Sequence, residues 1–301
     1  MTLKSRILTL LLSTLMCVSL FLATAPTTSA AGTASFSLMS YNVKNNNTNF
    51  NGIKSMLQTQ RPAVLGLQEV TNLTWSSISS RIKSLGYTAV RGEYRGTSSI
   101  LEGNECNPIF FMTDLFTLHN SGTFWLSDTP NTKSKYSDSS YYRICTWAVL
   151  EAKSTGDLFI VFNTHLDLTA SARFKQVKVL LNQINAIERN APLAANNLIV
   201  MGDMNFATAN SMFRYVTGVG PHAGETNTIT GTRFNSTRAI ATTVTNNSFG
   251  NYYTNPASNP TSDLDHIFVT TAGVACSKHI VTSNAAGSDH LPVRVTLNLI
   301  S

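Results

Sequence analysis

Several strongly apolar runs of strand length end abruptly in side chains that bind metals or move protons. The run "VLGLQEV" ends near Glu69, "FIVFNTHLD" ends at His165 and Asp167, and "LIVMGDMNF" ends at Asp203 and Asn205. Three further stretches add Asn42 in "SYNV", Asp265 and His266 in "SDLDHIFV", and Asp289 and His290 in "GSDHLPV". One acid beside an apolar run is an ordinary strand end, but repeated burial of acids is costly unless metals, hydrogen bonds or cations compensate. If the strands lie in packed sheets, these polar ends converge at one edge.

Strand-like runs alternate with amphipathic helical runs along the chain, beginning with "FSLMSYNV", "GIKSMLQTQ", "AVLGLQEV" and "WSSISSRIKSLG". The middle is richer in strands, the clearest helix runs from about Ala170 to Glu188, and "LDHIFVT" and "VRVTLNLI" end the chain. No repeat or linker divides residues 31–301, so one α/β domain is predicted there. Pro221 to Ser262 loses this periodicity and is interpreted equally well as an exposed connection or as a loop on the substrate side.

The first thirty residues have the pattern of a secretory signal peptide. Lys4 and Arg6 precede an apolar run from Ile7 to Ala23, and the small residues that follow predict cleavage near Ala30. A membrane anchor is the competing interpretation, but the run is short for a membrane span. Loss of the two basic residues lowers the formal net charge from +6 to +4, a mild excess that is compatible with a polyanionic substrate. A secreted, extracellular protein is therefore expected.

Three cysteines remain after the signal peptide is removed, an odd number for an oxidising compartment. They are Cys106, Cys145 and Cys276. The expected disulfide joins Cys106 to Cys145, because both lie in strand-like runs beside other residues of interest, and it leaves Cys276 free. None of the three has the spacing of a zinc site.

Six motifs, in a fixed order, resemble those of the endonuclease/exonuclease/phosphatase superfamily: "MSYNV", "LQEV", "NTHLD", "GDMN", "LDHIFV" and "SDHLPV". The resemblance covers about residues 36–299, and "NECNPIFF", "SGTFWLSDTP" and "RICTWAVLE" are further similar to its secreted, deoxyribonuclease I-like branch. It implies a four-layer α/β sandwich, in which two packed and mostly antiparallel β-sheets are flanked by helices.

Hard oxygen ligands for a divalent cation are expected from Glu69, Asn42 and Asp289, a set that suits Mg²⁺ better than a softer metal. The resemblance implies the same, because Glu69 matches the residue that holds the principal ion in the family. Mn²⁺ and Ca²⁺ are alternatives to Mg²⁺. A second ion near Asp203 and Asp289 stays open.

His290 is the preferred general base, because an imidazole accepts a proton near neutral pH. By its match to the family, Asp265 is the carboxylate that orients the ring of His290. In some family accounts the residue matching Asp203 is the base instead, so both assignments stay open. Many relatives have an aromatic residue after the matching aspartate, where this chain has His266.

Four more residues are expected around the phosphate. His165 would hydrogen-bond to the phosphate or protonate the leaving oxygen, and Glu105 matches the glutamate that pairs with this histidine in deoxyribonuclease I, with an exposed turn as its alternative. Asn205 is an amide that can donate to a phosphoryl oxygen. Arg143 resembles a family arginine that contacts phosphate, and a salt bridge at the rim is its alternative.

The resemblance implies a secreted, Mg²⁺-dependent phosphoesterase that hydrolyses phosphodiester bonds by activated water. The preferred substrate is DNA, cleaved without strong sequence preference. Lipid headgroups and sugar or inositol phosphates are alternative substrates, and a binding module without activity is the alternative from another class. No stable membrane association is expected, and a monomer is predicted.

Overall fold

Fifteen strands and five helices form within the residues that the structure, a computed structural model, describes: 33–96, 104–191 and 197–300. The predicted signal peptide lies outside these residues. The elements are, in chain order, β1 (Ser35–Asn42), α1 (Phe50–Gln60), β2 (Val64–Gln68), β3 (Val70–Thr71), α2 (Trp75–Lys83), β4 (Tyr87–Val90), β5 (Glu105–Cys106), β6 (Ile109–Met112), β7 (Phe116–Trp125), β8 (Ile144–Ala152), β9 (Leu158–His165), α3 (Ala170–Asn190), β10 (Leu198–Asp203), α4 (Ser211–Val216), β11 (Phe234–Ser236), α5 (Thr237–Ile240), β12 (Thr243–Thr245), β13 (Asp265–Thr270), β14 (Val274–Val281) and β15 (Val293–Leu299). Over these described ranges, no helix combines the length and the apolar character that a membrane span requires.

Most of the strands belong to two large sheets. One has seven strands in the order β12-β14-β15-β1-β2-β6-β4, and the other has six in the order β11-β13-β10-β9-β8-β7. The short strands β3 and β5 pair with each other. Most neighbours are antiparallel, but β1 runs parallel to β2 and β12 to β14 in the first sheet, and β9 runs parallel to β10 in the second. The carboxyl ends of each parallel pair therefore lie side by side at one edge of their sheet.

The alternation of apolar side chains along the strands explains why the two sheets pack face to face. In β1, Leu38 belongs to the core between the sheets, together with Val161 of β9. Met39 and Tyr41 point the other way, into the layer formed with α1 and α2. The outer face of the six-stranded sheet packs against α3 and α4, where Leu180 is one of the buried contacts. Helices, sheet, sheet and helices follow one another, which confirms the predicted four-layer sandwich.

Near the functional edge, the contact between the two sheets becomes polar. Gln68 at the end of β2 donates from Nε2 to Asn163 Oδ1 of β9 at 2.7 Å and to Ser40 Oγ of β1 at 3.2 Å. Asn163 Nδ2 donates back to the carbonyl oxygen of Leu67 at 2.8 Å. A buried donor or acceptor left unpaired costs about 1–3 kcal/mol, so this network fixes the register of one sheet against the other below the site.

The clearest predicted helix is confirmed, and β14 is among the strands that were missed. α3 spans Ala170–Asn190 with Thr169 as its N-cap residue, close to the prediction of Ala170 to Glu188. β14 was not predicted, because its register against β15 shifts between Cys276 and Lys278 and this irregularity breaks the period of two.

The predicted disulfide between Cys106 and Cys145 is wrong. Cys106, Cys145 and Cys276 are all free and buried. Cys106 lies in the apolar layer below α1 and α2, whereas Cys145 lies in the layer below α3, on the outer side of the other sheet. Both sheets therefore lie between the two thiols, an arrangement that the strand-like character of the two segments could not reveal.

Candidate active site

The polar strand ends converge at one edge of the sandwich, as the sequence predicts. Asn42 ends β1, His165 ends β9 and Asp203 ends β10, while Asp265 begins β13, which runs antiparallel to β10. His290 lies in the loop before β15, which is antiparallel to β1. Together with neighbouring loops they surround a cavity of about 360 Å³, lined by Asn45, Glu69, Arg95, Glu105, Tyr141, Arg143, His165, Leu168, Asp203, Asn205, Asn255, Leu264 and His290.

The carboxylate of Asp203 lies at the centre of the site and is buried. Its Oδ2 accepts a hydrogen bond from Asn42 Nδ2 at 3.0 Å. The same oxygen lies 3.5 Å from His165 Nε2 and 3.6 Å from His290 Nε2. Its Oδ1 accepts from the backbone N–H of Asn205 at 3.0 Å. Residues of both sheets therefore meet at one carboxylate.

The imidazole of His290 lies between two carboxylates. Its Nδ1 is 2.8 Å from Asp265 Oδ2, so Asp265 fixes the orientation of the ring as predicted from the family pattern. Burial lowers the pKa of His290, but the charges of Asp265 and Asp203 outweigh it and raise that pKa to about 10. Burial raises the pKa of Asp203 to about 6, with His290 opposing the shift and Asp265 adding to it. At neutral pH the site therefore contains a His290 imidazolium beside the carboxylate of Asp203.

His165 is neutral in this environment. Burial and the nearby cations Arg143 and Arg95 lower its pKa well below the ordinary value. Its Nδ1 is buried and finds no hydrogen-bond partner among the described residues. A neutral imidazole with a free ring nitrogen is better suited to hydrogen-bond a phosphate oxygen than to act as a strong acid.

Glu105 lines the cavity, but the structure does not pair it with His165. Its Oε1 lies 2.7 Å from Arg95 Nη2, and Asn45 Nδ2 donates to it at 3.4 Å. Burial raises the pKa of Glu105, and the Arg95 guanidinium opposes that shift. A buried carboxylate gains most from a permanent cation, so the arginine, which the sequence did not single out, takes the place expected for the histidine.

Arg143 supplies a buried cation with unused donors. Its Nε lies 3.8 Å from Asp167 Oδ2, too far for a hydrogen bond, and neither Nε nor Nη1 has a hydrogen-bond partner among the described residues. Burial and the charge of Arg95 lower the pKa of Arg143 to about 10. Asp167 is already satisfied by Ser139 Oγ and by the backbone N–H of Tyr141. The guanidinium of Arg143 is therefore free to bind an anion that enters the cavity.

Arg95 and Tyr141 are two of the cavity-wall residues that the sequence reasoning missed. The ring of Tyr141 contacts two guanidinium groups, with Arg95 Cζ 4.6 Å and Arg143 Cζ 5.1 Å from its centroid. Arg95 lies in a short loop after β4. This loop has no periodic pattern, so nothing in the sequence indicates the position of Arg95. Tyr141 carries a weak signal, because it precedes Arg143 by two residues.

The oxygen donors around Glu69 fit a divalent cation. Asn42 Nδ2 lies 2.8 Å from Glu69 Oε1 and 3.0 Å from Asp203 Oδ2, so two carboxylates approach each other with only an amide between them. The Glu69 backbone is in the left-handed region, at φ 62°, a conformation that a non-glycine residue retains mainly where the surrounding structure requires it. Asn42 Oδ1 accepts from the backbone N–H of Lys44 at 3.0 Å, while its Nδ2 faces the two carboxylates. The side-chain amide of Asn42 would therefore have to flip for its oxygen to bind a metal.

Two other groupings bear on the metal. Asp289 is 45% exposed, pairs with Lys44 at 3.4 Å and is not among the residues that line the cavity, so its role as a metal ligand stays a prediction. Asp203, Asp265 and His290 are also close enough together to hold an ion. The oxygen set of Glu69, Asn42 and Asp203 suits a hard cation such as Mg²⁺ better than a set that includes an imidazole nitrogen.

Glu69→Gln is expected to weaken binding of Mg²⁺ or Mn²⁺ at least about tenfold, because one anionic ligand becomes neutral. Calorimetric titration of the protein with each metal measures this directly. Glu151→Gln is the matched control, since Glu151 pairs with His119 away from the cavity. Unchanged affinity in Glu69→Gln would place the ion elsewhere.

His266 points away from the cavity, which explains why an imidazole is tolerated after Asp265. Its ring stacks on Phe206 at 5.5 Å between centroids and lies 5.3 Å from Phe213. Its Nε2 lies 2.8 Å from the carbonyl oxygen of Phe206. Since successive side chains of β13 point to opposite faces, His266 packs in the outer layer while Asp265 faces the site.

Comparisons with known proteins agree with this geometry. The sequence matches the model of the Endonuclease/Exonuclease/phosphatase family over residues 39–290. A search of curated protein sequences gave no match. Among solved structures, a Bacteroides thetaiotaomicron protein described as an endonuclease/exonuclease/phosphatase family protein is 23% identical, with a TM-score of 0.75 over 90% of this chain and 97% of its own.

Two other solved structures share the fold. The mannosyl-6-phosphatase Bt3783 of Bacteroides thetaiotaomicron is 23% identical, with a TM-score of 0.72 over 87% of this chain and 99% of its own. TDP2 of D. rerio, complexed with a single-strand DNA product, is 17% identical, with a TM-score of 0.61 over 88% of this chain and 99% of its own. The family match covers the strand ends that form the cavity, from β1 to His290. The chain therefore belongs to the endonuclease/exonuclease/phosphatase family, and it is a phosphoric ester hydrolase of that family.

Proposed function

We propose that the protein is a secreted, Mg²⁺-dependent phosphodiesterase that cleaves DNA without strong sequence preference. One observation carries the reaction type: the buried Arg143, with two unpartnered nitrogens, lines the same cavity as Asp203 and His290. A guanidinium with two nitrogens that lack hydrogen-bond partners, beside a carboxylate and an imidazolium, supplies a place for a phosphate and a proton acceptor next to it.

Water is the proposed nucleophile. The described residues that line the cavity include no serine, threonine or cysteine, the usual protein nucleophiles. Asp203 is the proposed acceptor of the water proton, because its Oδ2 lies at the centre of the site, 3.5 Å from His165 Nε2 and 3.6 Å from His290 Nε2. The sequence preferred His290 as the base, and the two flanking carboxylates favour the alternative.

The other polar residues bind and orient the phosphate. Arg143, His165 and the imidazolium of His290 can each donate to a phosphoryl oxygen. Asn205 donates one amide N–H to the carbonyl oxygen of Leu166 at 2.8 Å and retains a second for the substrate. A Mg²⁺ ion held by Glu69, Asn42 and Asp203 would neutralise charge on the phosphate and on the leaving oxygen.

Three observations support DNA and secretion. The chain without its predicted signal peptide carries a formal charge of +4, two fewer than the +6 of the whole sequence. The first thirty residues have the pattern of a signal peptide. TDP2, which shares the fold, has been solved with a single-strand DNA product.

A sugar phosphate is the second candidate substrate. Arg95 and Arg143 are both buried in the cavity wall, and two guanidinium groups suit the doubly charged phosphate of a monoester. A mannosyl-6-phosphatase is also among the structures that share the fold. Lipid headgroups are also tested as substrates, because they contain phosphate esters as well.

The test is a panel of substrates offered to the mature protein with Mg²⁺ or with EDTA. Plasmid DNA, RNA, sphingomyelin, inositol phosphates and mannose 6-phosphate are compared, with His290→Asn as the inactive control. Metal-dependent nicking of the plasmid by wild type alone is expected. Release of inorganic phosphate or phosphocholine with intact DNA would replace the proposed substrate, and no turnover of any compound would contradict the assignment as an enzyme.

A further inference from the structure

We infer that Lys133, Lys135 and Tyr142 form a binding surface for single-stranded nucleic acid beside the cavity, with one base stacking on Tyr142. These three residues are called the Tyr142 surface below. The inference rests on the proposed function and specifies it, since it names the form of nucleic acid that the protein binds more tightly.

The geometry of the Tyr142 surface combines an exposed ring with two cations. Tyr142 is 36% exposed, and the Nζ atoms of Lys133 and Lys135 lie 5.2 Å and 5.9 Å from its ring centroid. Trp125, which is only 9% exposed, contacts the Tyr142 ring edge to face at 6.1 Å and supports it from within. Both ammonium groups lie over the ring, so in the proposed complex they move aside to bind the phosphates while a base stacks on Tyr142.

The two cations of the Tyr142 surface are not neutralised by the protein. Over the described ranges, neither Lys133 nor Lys135 forms an ion pair with an acid. Lys135 Nζ instead donates to the carbonyl oxygen of Ser139 at 2.7 Å, which fixes its position without cancelling its charge. This unbalanced charge is what a polyanionic strand requires.

A larger cavity nearby lacks this unbalanced positive charge. It measures about 700 Å³, and Lys135, Lys175 and Lys178 line it. Lys175 pairs with Asp138 at 3.1 Å and Lys178 pairs with Glu225 at 3.1 Å, so most of its positive charge is cancelled. We therefore place the strand over Tyr142 rather than along α3.

Tyr142 adjoins the cavity along the chain, although it does not itself line it. Tyr142 stands between Tyr141 and Arg143, which both line the cavity. Its carbonyl oxygen accepts from Arg95 Nη1 at 3.5 Å. A phosphate bound at Arg143 thus leaves the adjoining nucleotide next to the exposed ring. Because a base must leave its partner to stack on a side chain, this arrangement favours a single strand over a duplex.

The experiment measures binding without turnover, by fluorescence anisotropy of a labelled oligonucleotide in EDTA. Wild type is expected to bind the single strand more tightly than the duplex of the same sequence. Tyr142→Ala should weaken binding about tenfold, whereas Tyr142→Phe, which keeps the ring, should not. Lys133→Ala should reduce the slope of log affinity against log salt by about 0.7, and Lys83→Ala on α2 should leave it unchanged.

Thermal unfolding of each variant shows whether the fold is intact. Equal affinity of wild type for single strand and duplex, or unchanged binding in folded Tyr142→Ala and Lys133→Ala, would overturn the inference. Plasmid nicking together with unchanged binding would reject the Tyr142 surface and keep the proposed function. Binding that depends on the Tyr142 surface without any cleavage would reject the proposed function and keep the surface.

Discussion

Replacing His290 by asparagine is expected to lower kcat about 10²- to 10⁴-fold, with a smaller change in KM. The substitution removes the only cation in direct contact with Asp203 and Asp265 among the described residues, and it leaves those two buried carboxylates facing each other. The developing charge on the phosphate then lacks an imidazolium donor. Steady-state kinetics at neutral pH on the substrate identified by the panel measure the effect.

The pH profile distinguishes the two roles open to His290. With Asp203 as proton acceptor, kcat falls at low pH as that carboxylate is protonated near its pKa of about 6. It falls at high pH as His290, required as an imidazolium, loses its proton near its pKa of about 10. Asp265→Asn removes one of the two carboxylates that raise the pKa of His290. The alkaline limb of the kcat–pH profile of this variant should therefore move to lower pH. A kcat that instead rises through the alkaline range would make His290 the base.

The fold and most of the cavity lining could be predicted because both depend on local patterns. Apolar strands with period two determine which faces pack together, and the polar residues at their ends lie where strands of like direction finish. His165 and Asp203 line the same cavity for this reason, and Asn42 donates to Asp203 beside it. Glu69 and Asn205 follow such strand ends, and both have positive φ, at 62° and 53°, which turns the chain directly after a strand.

The pairings between side chains could not be predicted in the same way. Glu105 was assigned to His165, but Arg95 competes for it from a loop without a pattern. Asp289 was assigned to the metal, but Lys44 is within 3.4 Å of it. A buried or half-exposed acid pairs with whichever cation the tertiary structure brings closest, and that distance is a property of the fold rather than of sequence spacing.

Neither sheet forms the site alone. Asn42 and Glu69 come from the seven-stranded sheet, whereas Asp203 and His165 come from the six-stranded sheet, and Asn42 Nδ2 joins the two by donating to Glu69 and Asp203. The geometry at the phosphate therefore depends on the register of one sheet against the other. The buried network of Gln68 and Asn163 below the site maintains that register.

Arg143→Met is expected to lower kcat/KM about 10²- to 10³-fold and at the same time to stabilise the fold. The pKa of Arg143 is lowered to about 10 by burial, which means that its charge is less favourable in the folded chain than in the unfolded one. Removing that charge is expected to raise the free energy of unfolding of the metal-free protein by about 1–3 kcal/mol. Asp167 loses little, because Ser139 Oγ and the N–H groups of Tyr141 and Thr169 still donate to it.

Arg173→Met is the matched control, because Arg173 is also a buried arginine near Asp167 but has hydrogen bonds to lose. Its Nη1 donates to the carbonyl oxygens of Asp167 at 2.9 Å and Leu168 at 3.1 Å. Leaving those acceptors short of a donor should lower the free energy of unfolding by about 1–3 kcal/mol. Urea titration of both variants in EDTA compares them. If Arg143→Met were destabilised as strongly as Arg173→Met, Arg143 would be a structural partner of Asp167 rather than a cation kept free for the substrate phosphate.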